Sequence, residues 1–242
     1  MRPWILAVLV TVLFSGCANY QTMALKKGQG AISTTTASVV LLTVEVSRPD
    51  GSRYQPNPAI ILVSAIQADD RDQATLFRFS RRDDLVQVDG HAVYLSSMAL
   101  APGHYRIDGI SGVANAFPFI GQFFIPVLAE FDVKPQSVSY LGHIEAIMRE
   151  RREGEFRAGS SIPLIDQAAT GMISHTWDVA IENRYDADIA TFRERIPALV
   201  ELSVQSEPLP AWDRAAAQRL WDGVSKPESE AGTGKAASSG AN

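Results

Sequence analysis

The sequence is short of cysteine, of histidine, of positive charge and of long apolar runs. Its single cysteine, Cys17, leaves no possibility of an internal disulfide. With 22 basic residues against 27 acidic ones and no basic stripe, the composition excludes a nucleic-acid binder. The four histidines, His91, His104, His143 and His175, are separated by 13, 39 and 32 positions, which is no local metal-binding motif. Self-similarity with a period of 20–50 residues is absent, so a repeat architecture is excluded as well.

What is present begins at the N-terminus. Arg2 precedes WILAVLVTVLF, an uncharged run from Trp4 to Phe14, and small residues follow it. That three-part plan is that of a secretory signal peptide. Eleven helical residues cover roughly 16 Å of a hydrocarbon core about 30 Å thick, too little for a span. The run ends in Leu13-Phe14-Ser15-Gly16-Cys17, which resembles a bacterial lipobox, with an aromatic residue where an aliphatic one is more usual. The resemblance implies cleavage after Gly16 and a lipidated Cys17. Each buried lipid methylene contributes about 0.8 kcal/mol, and more than one acyl chain makes a stable anchor. Ala18 stands where an aspartate would resemble an inner-membrane retention signal. The implied address is therefore the outer membrane, periplasmic face, with the bilayer reached through Cys17.

Removal of residues 1–16 leaves 21 basic residues against 27 acidic ones. Residues 17–36 have mixed polarity and no sustained period, and read as a lipidated N-terminus and tether. A flexible segment of that length would hold a domain roughly 20–25 Å from the surface. Residues 225–242 carry no large apolar side chain and read as a disordered tail.

Residues 37–183 show period-two alternation, the pattern of half-buried strands. In ASVVLLTVEVSR, 37–48, Val40, Leu42, Val44 and Val46 alternate with Thr43 and Glu45. Further strands are expected at 59–67, 75–80, 85–88, 91–98 and 100–110, with a tight hairpin at Asp89-Gly90. The segments 128–133 and 137–147 flank Lys134-Pro135-Gln136, consistent with another hairpin. In 173–183, Trp177, Val179 and Ile181 face one side. The expectation is a mainly β protein, an antiparallel β-sandwich of immunoglobulin-like or transthyretin-like type. Two C-terminal helices within 184–224 should dock on it. The first carries Ile189, Phe192 and Ile196 on one face, with acids early and bases late to suit its dipole. The second places Trp212, Ala216, Leu220 and Val224 on one stripe.

The strings ALAPGHYRI (99–107) and AEFDVKPQSVSYLGHIEA (129–146) resemble a pattern in bacterial envelope lipoproteins with transthyretin-like or carboxypeptidase regulatory-like sandwiches. The resemblance is strong over roughly 35 residues and implies a fold and a compartment. It implies no activity. The expectation is a non-enzymatic interaction or structural module without a cofactor, with another envelope protein as its partner.

Candidates for chemistry are few. His143-Ile144-Glu145 places a histidine and a glutamate on one strand face, with His104 nearby if its strand pairs there, the arrangement of a metal-dependent enzyme site. GISGV, 109–113, lacks the spacing of a nucleophile elbow. Asp69, Asp70 and Asp72 miss the pattern of a calcium loop and read as a solvated turn. The most informative internal stretch is GISGVANAFPFIGQFFIPV, 109–127, with Phe117, Phe119, Phe123 and Phe124 and no charge. Two readings stay open for it. Either it is a pair of core strands turning at Pro118 or Gly121, or it is an apolar surface that meets a partner, the membrane or a small apolar ligand.

Overall fold

A computed structural model describes residues 19–66, 73–159 and 165–225. The signal-like run, Cys17, the acidic turn at 69–72 and the tail from 226 onward lie outside the described residues.

Two sheets pack face to face. The first contains β1 (Asn19–Thr22), β4 (Gln73–Arg78), β3 (Pro56–Ala65), β7 (Gly103–Ala116) and β8 (Phe119–Val133), in that lateral order. The second contains β10 (His175–Glu182), β9 (Val138–Glu150), β2 (Ser38–Ser47), β6 (His91–Leu100) and β5 (Leu85–Val88), and the short β11 (Gln205–Ser206) pairs in parallel with the start of β9. The protein is thus mainly β, a sandwich with few helices. Its sheets are mixed, because β2 runs parallel to β9 and β1 parallel to β4.

Alternation along β2 explains the layering. Val40, Leu42, Val44 and Val46 enter the core between the sheets, with Ile61, Phe77, Ile107, Ile125 and Trp177. Val39 and Leu41 face the other way and are buried too, in a second core beneath α2 (Tyr185–Arg195). A strand covered on both faces reads as a near-continuous apolar run, and SVVLLTVEVS does. Ile189, Phe192 and Ile196 supply the helix side of that second core, as their spacing predicts.

The turn at 134–137 departs from the expected hairpin. It carries the chain from β8 in one sheet to β9 in the other. The Ser38 hydroxyl donates to the Lys134 carbonyl and accepts from the Ser137 amide at 3.2 Å. The start of β2 thereby fixes the turn and delivers β9 alongside it in parallel. Hairpins do form elsewhere, among them β5–β6, where Asp89 and Gly90 both take positive φ, and β7–β8, which turns at Phe117-Pro118 through a cis peptide.

Residues from 19 onward are laid down on the fold, in contrast to the expected tether over 17–36. β1 pairs with β4, Met23 enters the inter-sheet core and Leu25 the outer one. The Ala24 amide donates to the Ser97 carbonyl at 2.6 Å and the Leu25 amide to the Ser97 hydroxyl at 2.9 Å. The segment crosses from one sheet to the other, giving Met23 to the inner core and Leu25, with Ala24 and Ile32 packed beside it, to the outer one, so no period shows.

A short α1 (Ile165–Ala169) packs against β8. α3 (Arg214–Ser225) follows Trp212, whose Nε1 donates to the Pro126 carbonyl at 2.7 Å. Its buried side is Ala217 with Trp221, while Leu220 is 42% exposed. The stripe is rotated from the expected one because Arg214 turns inward. It donates to the Trp177 carbonyl and pairs with Glu155 and Asp178, each at 2.8 Å.

Candidate binding site beneath the second helix

The outer face of the second sheet stops being apolar partway along β2. After Val39 and Leu41, the same face presents Thr43 and Glu45. β9 delivers His143 and Glu145 beside them, since Thr43 is in register with His143 and Glu45 with Glu145. The parity that puts His143 there depends on a bulge. Tyr140 faces the outer core and Leu141 the inner one, and strict alternation would turn residue 143 inward. Gly142, at φ +123°, takes up the extra residue, so His143 and Glu145 face outward.

These residues line a cavity of about 410 Å³ roofed by α2. β6 contributes His91, Val93 and Leu95, the β5–β6 turn contributes Asp89, and α2 with its approach contributes Arg184, Ala187, Asp188 and Thr191. His143 sits at the back, almost fully buried. Arg184 Nη1 donates to its Nε2 at 3.2 Å, so Nδ1 carries the hydrogen and donates to Asp188 Oδ2, also at 3.2 Å. The Tyr140 hydroxyl donates to the same Asp188 oxygen at 2.6 Å. Burial, with the Asp188 carboxylate beside it, raises the Tyr140 phenol far above its ordinary range. Glu45 lies between the two imidazoles: Oε1 accepts from His91 Nδ1 at 2.7 Å, while Oε2 stands 3.6 Å from His143 Nε2, outside hydrogen-bond reach.

Of the buried and half-buried groups in this cavity, two are left over. The Thr43 hydroxyl is fully buried without a hydrogen-bond partner among the described residues. Glu145, half-buried, accepts no hydrogen bond from any described residue, although its charge acts on Arg184.

The structure therefore brings His143 and Glu145 to one cavity and keeps His104 away from it. His104 is on β7 of the other sheet, where Asp132 and Glu130 accept from its ring at 2.9 and 3.2 Å and raise its pKa. His175 accepts from Arg48 Nη2 at 3.2 Å and donates to the Gly171 carbonyl at 2.9 Å, a structural role. Among the described residues, no three His, Cys, Asp or Glu side chains converge to hold a metal ion. Glu45, His91, Asp188 and Arg184 were not legible as site residues. Asp188 reads from sequence as a dipole-matching acid and Glu45 as a solvent-facing alternate. The one signal was the switch from Val and Leu to Thr43 and Glu45 on an outer face that is otherwise apolar.

The four phenylalanines part company. Phe123 is in the inter-sheet core against Trp177, Phe119 packs on that core, and Phe124 is half-buried. Phe117, at the tip of the β7–β8 hairpin, is 94% exposed, with Ile120 beside it at 53%. Among the described residues, no helix is long and apolar enough to cross a membrane. Compared with protein-family models, curated proteins and solved structures, the chain matches none.

Proposed function

We propose that this chain is a lipoprotein of the bacterial cell envelope, held to the outer membrane through an acylated Cys17, with its sandwich facing the periplasm. In this reading it is a non-enzymatic interaction module, and another envelope protein is its partner. The Leu13–Cys17 string supports the anchor. The placement of β1 gives the anchor a consequence. Asn19 is two residues beyond Cys17, so at most about 7 Å of chain separates the lipidated residue from the sandwich. The domain stands at the bilayer surface and is not held off it by a long leash.

The observation that carries the partner reading is the position of Phe117. Register runs from Asn19 to Thr75, then Val63, then Ile107, and Phe117 is ten residues further along β7. At about 3.4 Å per residue the hairpin tip stands roughly 30 Å from the level of Asn19, at the diagonally opposite corner of its sheet. An exposed aromatic and an isoleucine at that corner point away from the anchored end, which favours a protein contact over the chain's own bilayer. A photo-reactive phenylalanine analogue at position 117, activated in intact envelopes, tests this. A protein adduct that disappears with Ile120→Asp supports the reading. Adducts to lipid only, or none, contradict it.

A further inference from the structure

We propose that the cavity beneath α2 binds a small primary ammonium compound with a short hydrocarbon body. The proposal adds a ligand site to the binding-module reading. Its test uses purified full-length chain, so failure here leaves the hairpin contact standing, and the reverse.

The charge of the cavity sets the sign of the ligand. Glu45, Asp89, Glu145 and Asp188 line it, against one guanidinium, Arg184. Most of these groups are already engaged. Asp188 takes Tyr140 and His143, Glu45 takes His91, and Arg184 is held by Glu182 at 2.9 Å and by His143. What remains is hydrogen-bond capacity at the Glu145 carboxylate, at the Thr43 hydroxyl and at the exposed Asp89 carboxylate on the β5–β6 turn. Three buried hydroxyls, those of Thr43, Ser139 and Thr176, have no partner among the described residues, and of the three only Thr43 stands in the wall of this cavity. Thr43 and Glu145 stand on adjacent strands of one face, in the wall of the same cavity. An ammonium group has three donors and one positive charge, which meets both needs at once.

Two competitors fit less well. An anion would face four carboxylates and find only an arginine that is already paired. A metal ion needs at least three converging ligands, which the described residues do not offer, and about 410 Å³ is the scale of an organic molecule. Val88, Val93 and Leu95 give the ligand's methylenes an apolar wall.

Titration calorimetry at low ionic strength with n-butylammonium chloride is the test, with n-butanol and sodium butyrate as neutral and anionic probes of equal carbon length. The expected result is saturable one-to-one binding of the ammonium alone. Glu145→Gln, which removes a charge that holds no hydrogen bond among the described residues, lowers affinity about tenfold or more. Thr43→Val weakens binding and raises the melting temperature of the free protein. Near-UV circular dichroism unchanged from wild type shows that each variant folds, and a lost spectrum is replaced by reading Glu145→Asp. Absence of saturable ammonium binding, undiminished binding in Glu145→Gln, preferential binding of butyrate, or stoichiometric Zn²⁺ in place of the ammonium would each overturn the proposal.

Discussion

The Tyr140 hydroxyl lies 2.6 Å from Oδ2 of Asp188, and both groups are buried between the second sheet and α2. This bond ties the helix to β9 and fixes the carboxylate that orients His143. Truncating either partner has unequal consequences. Tyr140→Phe removes one hydrogen bond and should cost about 1 kcal/mol. Asp188→Ala strands a buried phenol and the Nδ1 hydrogen of His143, and should cost about 2–4 kcal/mol. Urea unfolding of the two single variants and the double variant gives both numbers and their coupling.

Gly142 holds the bulge that turns His143 toward the cavity. At φ +123° an alanine is strained, and its Cβ would meet the Glu182 carbonyl at 3.0 Å. Gly142→Ala should destabilise by about 1–3 kcal/mol in the same unfolding assay. A variant as stable as wild type would mean that the bulge is not under this constraint.

Asp84 makes stability fall as pH rises. Burial pushes its carboxyl up to about 6 from an ordinary 3.8, with the neighbouring Asp83 charge adding to the rise and the Ser80 amide opposing it. Between those two values the folded chain holds a proton that the unfolded chain has lost, so this group favours folding most below about pH 4 and its penalty is complete above about pH 6. Asp84→Asn keeps an acceptor for the Ser80 amide and removes the charge. Its melting temperature should exceed that of wild type at pH 7.5, with the difference shrinking toward pH 4.

Glu155 acts with the opposite sign. The hydrogen bonds from Arg149, the Arg152 amide and the Arg214 charge hold its carboxyl down at about 2. Its contribution is present above the ordinary glutamate value of 4.5 and disappears as pH falls toward 2. Glu155→Gln should therefore melt lower than wild type at pH 6 and converge with it near pH 2. The loss is concentrated where Arg214 pins α3 to the sheet edge, so amide exchange in residues 214–225 should quicken first.

Much of the fold was legible because alternation is a local signal. The inward sets on β2 and β10, the Asp89-Gly90 turn and the apolar stripe of α2 each follow from a few consecutive residues. The expected hairpin at 134–136 failed for a different reason. A turn motif does not say whether the next strand rejoins its own sheet, and here Ser38, nearly a hundred positions away, decides that. The N-terminal strap was missed because Met23 and Leu25 serve two different cores. The cavity was half legible. His143 and Glu145 are two residues apart, but Glu45, His91 and Asp188 join them only through strand order and helix docking. The phenylalanine stretch carried both of its readings, one residue at a time, with Phe123 in the core and Phe117 at the tip.

The lipid anchor underlies the whole reading of location, and Cys17→Ala tests it. Membrane and soluble fractions of cells expressing wild type and the variant are compared, with thermal melting of the recovered protein alongside. The expected outcome is transfer of Cys17→Ala to the soluble fraction at an unchanged melting temperature, because both described cores are built from residues beyond Cys17. A variant that still sediments with membranes would contradict the anchor at Cys17.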